Sequence, residues 1–281
     1  MLRSMKDLGQ YAIGATDGPI GQVKDFYFDD EAWVIRYLVV ETGSWLSSRK
    51  VLISPMSIRQ PDWAGKLLPV AITRAQVENS PDIDTDKPVS RQHELEYLGY
   101  YGYPYYWGGE GLWGEGMSPY ALMPLDPAVD KAERRLDEEA MARAEREHQR
   151  NDDPHLRSCQ AVVGYHIHAS DGEIGHVSGL LVDEATWAIR YLVVDTSNWW
   201  MGKQILLSPH WVERISWAEN LVFLTLPREA IKNSPEWKPD QLVNREYEVR
   251  LYDYYGRPAY WADAGKDDDD SRVAGAPPKV L

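Results

Sequence analysis

Three histidines in the second half of the chain have a spacing that could bind a metal ion. His166 and His168 alternate along a β-rich run, so both imidazoles would lie on one strand face, and His176 follows in the adjoining run. Histidine nitrogens are common zinc ligands. The corresponding positions of a similar, earlier stretch are Ala12, Gly14 and Gln22. Because the pattern is not repeated there, we favour solvated or packed histidines and expect no metal.

A second candidate cation site is an alternating run of carboxylates. Asp82, Asp84 and Asp86 imitate the first ligands of a calcium-binding loop. The loop also needs a glycine and a bidentate glutamate, but Lys87 and His93 stand at those positions. We therefore favour a solvated turn, and we expect no cofactor.

No set of catalytic residues is evident. An enzyme needs a nucleophile, a base and a stabilising group within hydrogen-bond reach, and no such set recurs in the two similar stretches of the chain. Cys159 is the single cysteine, so a disulfide within the chain is excluded, and we expect a buried or inert thiol. We predict no catalytic residues. The alternative, an enzyme with its site between the two halves, predicts a deep pocket with a perturbed titratable group.

Arg36 and Arg190 each interrupt an otherwise apolar run. A buried guanidinium must be paired or must reach water. The candidate partners are acidic residues near the strand ends, namely Asp29 and Glu41 for the first arginine and Asp183 and Asp195 for the second. A structural ion pair is the favoured interpretation, and an exposed arginine that recognises a partner is the alternative.

Two aromatic segments are the strongest candidates for a contact surface. They contain Tyr100, Tyr101, Tyr105, Tyr106 and Trp107 in the first half, and Tyr254, Tyr255, Tyr260 and Trp261 in the second. Large aromatic surfaces do not stay exposed without cause. The segments either close their own domain or seal the halves together, or they bind an external protein.

The chain contains one stretch twice, displaced by 154 positions. Residues 17–42 return as residues 171–196 without a gap, and the register extends to the aromatic segments. A match of this length indicates two similar domains. Any function proposed for the protein must therefore account for two copies.

A length of 281 residues permits two ordinary domains, each able to bury its own core. We expect a first domain at residues 1–107 and a second at 155–262. The intervening residues 108–154 are rich in glycine and proline and then in Ala, Glu and Arg, which predicts a linker with one longer helix. Residues 263–281 are expected to form a disordered acidic tail.

The formal net charge of −14 argues against binding to nucleic acids or anionic lipids, because both carry the same sign. No stretch reaches the roughly 18 uncharged apolar residues that cross a bilayer. We expect a cytoplasmic protein, with peripheral attachment to the inner membrane as an alternative. The expected partner is a protein, without direct nucleic-acid contact or a membrane span, and self-association to a homo-oligomer stays open.

Short β-rich runs dominate each copy. Residues 11–16 and 21–28 flank Asp17-Gly18, a dipeptide typical of tight hairpins, and residues 34–42 read as a central strand. Further short strands are predicted at residues 51–53, 57–59 and 67–72. Spacings of this kind are typical of a small antiparallel barrel or sandwich. Thr73 and Gln76 then match the capping box of a short helix.

The order of these motifs resembles the PRC-barrel family. It consists of Asp-Gly-x-x-Gly-x-Val from Asp17, the acidic strand end Asp29, Arg-Tyr-Leu-Val-Val from Arg36 and Leu-Ile-Ser-Pro from Leu52. The resemblance covers roughly residues 3–107 and its repeat at 157–261. Within the family the sequence is most similar to the cytoplasmic domain of the photosynthetic reaction-centre H subunit, and more distantly to the C-terminal barrel of ribosome maturation factors.

The resemblance implies a mainly β fold of two tandem, small antiparallel β-barrels, each followed by a short helix. We expect the copies to pack together about an approximate two-fold axis. The implied function is a non-catalytic adaptor or scaffold of a protein complex, such as an electron-transfer complex of the photosynthetic light reaction. The H subunit places a carboxylate directly after Arg-Tyr-Leu, where this chain has Val39 and Val193, so proton delivery is not expected. A ribosome-maturation-type interaction module is an alternative.

Overall fold

The computed structural model describes residues 1–81, 89, 91–107, 109–121, 156–196 and 202–262. Within these residues the protein is mainly β, with a six-stranded sheet, a seven-stranded sheet and several short helices. The carboxylates at 82–86, the predicted linker helix and the acidic tail lie outside the described residues.

The first copy contributes six strands and three helices. They are β1 (Leu2–Ser4), α1 (Met5–Leu8), β2 (Ala12–Ala15), β3 (Gly18–Asp29), β4 (Val34–Thr42), β5 (Lys50–Ile53), β6 (Leu67–Pro69), α2 (Arg74–Glu78) and α3 (Arg91–Tyr101). Short 3-10 turns span Ser44–Leu46, Pro55–Ser57 and, in the segment that follows this copy, Pro119–Ala121.

The second copy repeats this order with one additional strand. Its elements are β7 (Leu156–Ser158), α4 (Cys159–Val162), β8 (His166–Ala169), β9 (Gly172–Asp183), β10 (Ile189–Asp195), β11 (Gln204–Leu207), a 3-10 turn at Pro209–Trp211, β12 (Val212–Ser216), β13 (Leu221–Leu224), α5 (Arg228–Lys232) and α6 (Arg245–Tyr255). Both sheets therefore share the order of their first strands.

The predicted hairpin joins β2 to β3. Its Asp-Gly pair forms the turn and connects it to a neighbouring helix. Gly18 has a φ of 145°, which side chains rarely adopt. Asp17 Oδ1 accepts a hydrogen bond from Arg74 N at 2.8 Å and so connects the turn to the start of α2. Gly21 is needed for close approach, because an added Cβ would lie 2.0 Å from Glu41 O in β4.

Two local predictions have different outcomes. The capping box at Thr73 and Gln76 is confirmed at the start of α2. The strand predicted at residues 57–59 is wrong, since the chain forms a 3-10 turn at Pro55–Ser57 and then a single bridge from Ile58. The Ser54 hydroxyl stabilises the turn by accepting a hydrogen bond from the backbone N–H of Met56. The second copy does form a strand here, β12.

Two helices that were not predicted from the sequence, α3 and α6, end at the first tyrosines of the aromatic segments. Asn244 caps α6 by accepting a hydrogen bond from Tyr247 N at 2.9 Å, and Gly256 ends the helix with a φ of 59°. Both are ordinary helix-boundary signals. The many tyrosines near these residues led us to interpret the region as a contact surface and not as a helix.

The two copies exchange their first strands. β1 pairs with β9 of the second copy, and β7 pairs with β3 of the first copy. Both exchanged strands have the sequence Leu-Arg-Ser. Each sheet is thus completed by three residues from the other copy.

The copies also contact each other through residues at equivalent positions of the repeat. Val34 and its counterpart Ala188 form an antiparallel bridge, flanked by reciprocal backbone hydrogen bonds of 2.8 and 2.7 Å. Pairing of a position with its own counterpart is the arrangement of a local two-fold axis. The copies are not independently cored as expected, because the buried apolar residues form one continuous cluster through both.

Candidate functional site

Arg36 of β4 lies buried beside Asp29, the last residue of β3. Its Nη2 is 3.3 Å from Asp29 Oδ2, and the two side chains are only 3% and 8% exposed. Arg36 Nη1 donates to Leu112 O at 2.5 Å, and the ring of Tyr106 covers the guanidinium at 3.8 Å. A carboxylate, a carbonyl and an aromatic face therefore hold the arginine in place.

The second copy contains the same group of residues in a looser form. Arg190 Nη2 lies 3.6 Å from Asp183 Oδ2, with side chains 11% and 19% exposed. It also donates to Thr186 Oγ1 at 3.3 Å, and its guanidinium lies 4.1 Å from the Tyr260 ring centre. In the first copy the segment 109–121 adds a further cover over the arginine, which explains its lower exposure.

Both aspartates also shape the turn that follows their strand. Asp29 Oδ1 accepts hydrogen bonds from Glu31 N and Ala32 N at 3.0 and 3.1 Å. Asp183 Oδ1 accepts one from Ala185 N at 3.1 Å. Each carboxylate therefore contacts its arginine and orders the turn, which is a structural task.

The alternative acidic partners lie elsewhere. Glu41 forms an ion pair with Lys24 at 3.1 Å, and both side chains are more than 40% exposed. Asp195 ends β10, opposite His176 and Gln204 of the neighbouring strands. Of the two carboxylates considered for Arg36, the structure places Asp29 beside it.

A buried glutamate in each copy, Glu94 in α3 and Glu248 in α6, binds tyrosine hydroxyls. Tyr191 and Tyr260 donate to Glu248 Oε1 at 2.9 and 2.8 Å. Tyr106 donates to Glu94 in the same way. Burial first, and nearby hydroxyls and the carboxylate after it, raise the pKa of Tyr191 far above its usual value. Such tyrosines stay protonated at neutral pH.

Sequence reasoning missed this set, although a signal for it was present. The displacement of 154 positions aligns Glu94 with Glu248 and Tyr37 with Tyr191. Tyr37 is fully buried, and burial first and Glu94 second raise its pKa well above the usual value. A glutamate repeated within a tyrosine-rich segment indicates a buried acceptor for hydroxyl groups. Only knowledge of the helices α3 and α6 shows that these glutamates face inward.

The aromatic residues at the C-terminal ends of α3 and α6 are partly exposed. Tyr100 and Tyr254 are 40% and 41% exposed, yet their hydroxyls donate to Gln76 O and Ala230 O at 2.8 and 2.7 Å. The next residue in each copy, Tyr101 or Tyr255, is less exposed, and its ring packs edge-on against the exposed neighbour. These tyrosines connect the longer helix of each copy to its shorter helix.

The later aromatic residues fold back onto their own copy. Tyr106 is buried, and Tyr105 and Trp107 are partly buried against the core. In the second copy Tyr260 and Trp261 are partly buried, and Trp261 lies 5.1 Å from the ring of Tyr252. Most of the candidate contact surface thus packs inward.

The described histidines make separate contacts. His166 Nδ1 lies 2.8 Å from Glu173 Oε1 at the surface, and His168 contacts the ring of Phe223. No group of three or more His, Cys, Asp or Glu side chains in the described residues is arranged to bind a metal ion. Cys159 is buried, and burial raises the pKa of its thiol well above the usual value. Among the described helices, none has the length and apolar character to cross a membrane.

An open groove of about 350 Å³ lies between the two copies. One wall is the turn after β3, with Asp30, Glu31 and Trp33, and the other is the 3-10 turn and β12 of the second copy. His210 lies on the second wall, and partial desolvation together with the charge of Arg190 lowers its pKa. The groove combines two indoles, an imidazole, three carboxylates and the guanidinium of Arg214.

Comparisons with known proteins support the fold of the first copy. A model of the PRC-barrel domain family matches residues 8–64. An uncharacterized protein of Deinococcus radiodurans is 31% identical over 85 residues, which are 30% of this chain and 30% of that protein. The chain therefore contains a PRC-barrel domain at residues 8–64, and the similarity to this relative covers less than a third of either protein.

Proposed function

We propose that the protein is a non-catalytic adaptor in which both copies are PRC-type barrels and protein partners bind to the joined pair. The observation that carries the proposal is the inward use of the repeated polar residues. In each copy the arginine contacts its aspartate, and the buried glutamate accepts tyrosine hydroxyls. The polar residues that occur in both copies therefore stabilise the fold. We propose that the surfaces between the copies bind the partner.

The titration behaviour of these groups supports the same proposal. A general acid or base works best with a pKa near the ambient pH. Burial instead raises the pKa of Tyr247 to about 12 and raises that of Tyr191 still further. Shifts in this direction keep the hydroxyls neutral, as hydrogen-bond donors within the fold.

An enzyme with its site between the copies is the main rival, and the groove at His210 is where it would be. The described residues that line the groove include carboxylates and an imidazole but no Ser, Thr, Cys or Tyr. The counterpart of His210 in the first copy is Met56. A hydrolytic site would need a nucleophile and a stabiliser in addition, so we propose binding as the function of the groove.

The kind of complex is proposed from the family resemblance. Similarity to the soluble part of the reaction-centre H subunit favours a membrane-associated or electron-transfer complex as the partner. The net charge of −14 favours a protein surface over RNA. A ribosome-associated role would require a local basic surface to overcome this charge.

Crosslinking in the native cell tests the proposal. The full chain, tagged at one terminus, is crosslinked in vivo and purified under denaturing conditions, and linked peptides are identified by mass spectrometry. An equally acidic tagged protein is the control. We expect one or a few stoichiometric protein partners linked near the junction of the copies. Absence of stoichiometric partners would contradict the adaptor role, and salt-sensitive co-sedimentation with ribosomes would favour the ribosomal alternative.

A further inference from the structure

The two-fold arrangement creates two equivalent grooves between the copies, and the chain itself fills one of them. The segment 109–121 lies across the turn that follows β9. Trp113 Nε1 donates to Thr186 O at 2.8 Å, and Ser118 Oγ donates to Ala185 O at 2.8 Å. Trp113 is fully buried. The filled groove thus shows how this surface receives a turn-rich, aromatic segment of protein.

A tyrosine completes the contacts in the filled groove. Tyr120 donates its hydroxyl hydrogen to Glu184 O at 3.1 Å and accepts a hydrogen bond from Trp187 Nε1 at 2.7 Å. Trp187 is only 1% exposed as a result. Two aromatic side chains and one hydroxyl therefore satisfy the backbone carbonyls and the indole of this turn.

In the described part of the chain, no comparable segment covers the equivalent turn on the other side. Asp30, Glu31 and Trp33 are the counterparts of residues 184, 185 and 187, and they line the open groove of about 350 Å³. Among the residues that the structure describes, none accepts a hydrogen bond from Trp33 Nε1, and none donates to the carbonyls of Glu31 and Ala32. The volume lies within the range of about 300–1,000 Å³ typical of binding pockets.

Neither residues 122–155 nor residues 263–281 contain an aromatic segment that matches the one in the filled groove. Residues 263–275 follow the second copy as residues 109–121 follow the first, but residues 263–281 contain no Trp, Tyr or Phe. Residues 122–155 contain none either. The aromatic side chains that fill the first groove therefore have no equivalent in these two segments.

Charge separates the open groove from the filled one. Glu31 and Glu213 of the open groove correspond to Ala185 and Arg59 on the other side, and Arg214 of the open groove corresponds to Gln60. Over these three positions the open groove has a net charge of −1 and the other side has a net charge of +1. Glu31 and Glu213 are exposed, as is Arg59. The segment 109–121 carries two glutamates, whereas an occupant of the open groove would gain from lysine or arginine.

We propose that the open groove binds a short segment of a partner protein that carries a tryptophan or tyrosine beside basic residues. This inference deepens the proposed adaptor function and rests on it. The aromatic side chain enters as Tyr120 does beside Trp187 on the other side, Trp33 Nε1 donates to an acceptor on the partner, and Glu31 and Glu213 attract the basic residues. The molecule is thus an adaptor with one site, although it has two copies.

A peptide with the sequence of the chain's own segment, altered at two positions, is the probe. It comprises residues 109–121 with Glu110→Lys and Glu115→Lys, labelled with a fluorophore, and its binding to the full chain is measured by fluorescence anisotropy and calorimetry. Trp33→Phe keeps an aromatic ring and removes the donor, so we expect about tenfold weaker binding. Trp187→Phe is the matched control in the filled groove and should change the affinity less than about twofold.

A charge variant keeps the test valid if Trp33→Phe affects folding. Glu213 is exposed, so Glu213→Lys is expected to fold normally, to bind the basic peptide at least fivefold more weakly and to bind the unaltered peptide more tightly. The proposal is overturned if the basic peptide does not bind at millimolar concentration, or if it binds both variants as it binds the wild type.

Other occupants give different results. If the basic peptide binds only after deletion of residues 263–281, the chain's own tail occupies the groove and the proposal is overturned. A concentration-dependent dimer that dissociates in Glu213→Lys would identify a second copy of the chain and would also overturn it. If the peptide does not bind but crosslinking still recovers a stoichiometric partner, the adaptor function stands with another docking surface. If neither experiment detects binding, both proposals fail.

Discussion

Replacement of Arg36 by methionine measures what the buried ion pair contributes to folding. Breaking a buried pair costs about 3–5 kcal/mol because a buried charge is left behind. Asp29 would keep the hydrogen bonds from two backbone N–H groups, so we expect the lower end, a loss of about 3 kcal/mol. Arg190→Met is the matched control. Its pair is longer, at 3.6 Å, and more exposed, so a loss of about 1–2 kcal/mol is expected.

Urea unfolding at neutral pH, followed by circular dichroism, gives both free energies of unfolding. The double variant Arg36→Met/Asp29→Asn should recover part of the loss, with a coupling of about 2 kcal/mol. The reasoning is refuted if Arg36→Met costs less than about 1 kcal/mol or no more than Arg190→Met. A stable Arg36→Met protein that no longer captures its partner would instead identify a recognition arginine.

Four further outcomes are expected. The buried Cys159 thiol, which lies at the start of α4 directly after the exchanged strand β7, should be unreactive towards a thiol reagent in the native protein and should react fully in denaturant. Residues 155–262 alone should form a concentration-dependent dimer by exchanging their first strands, which light scattering after gel filtration would detect. Tyr260→Phe should lower the free energy of unfolding by about 1.5 kcal/mol through loss of the hydrogen bond to its buried glutamate, and exposed Tyr254→Phe by less than about 1 kcal/mol. Because burial raises the pKa of Tyr247 from 10.0 to about 12, its contribution to stability should be complete below about pH 10 and should fall as the pH rises towards 12, in urea titrations across that range.

Sequence reasoning succeeded where local chemistry decides the structure. The apolar run at residues 34–42 forms β4, and the Asp-Gly pair forms the hairpin before β3. The capping box starts α2. In these places a short run of residues contains its own boundary signals, and the remainder of the protein does not override them.

Sequence reasoning failed where the structure of a segment depends on a contact with residues that are distant in sequence. Leu2–Ser4 is too short to be recognised as a strand, and it forms one because β9 of the other copy offers an open edge. Asp29 and Arg36 were among the candidate pairs, but only the fold distinguishes Asp29 from Glu41 as the neighbour of Arg36. The inward direction of Glu94 likewise depends on how α3 packs.

The exchange of first strands offers a reason for the duplication to persist in one chain. Two separate copies could make the same exchange only as a dimer, with identical grooves on both sides. Joining them through residues 108–154 adds sequence on one side alone, and that sequence contains Trp113 and Tyr120, which occupy one groove. The second groove keeps the same walls without that occupant and carries a more acidic surface. The linker therefore converts a symmetric pair into a molecule with two different faces, as the proposed binding of one partner requires.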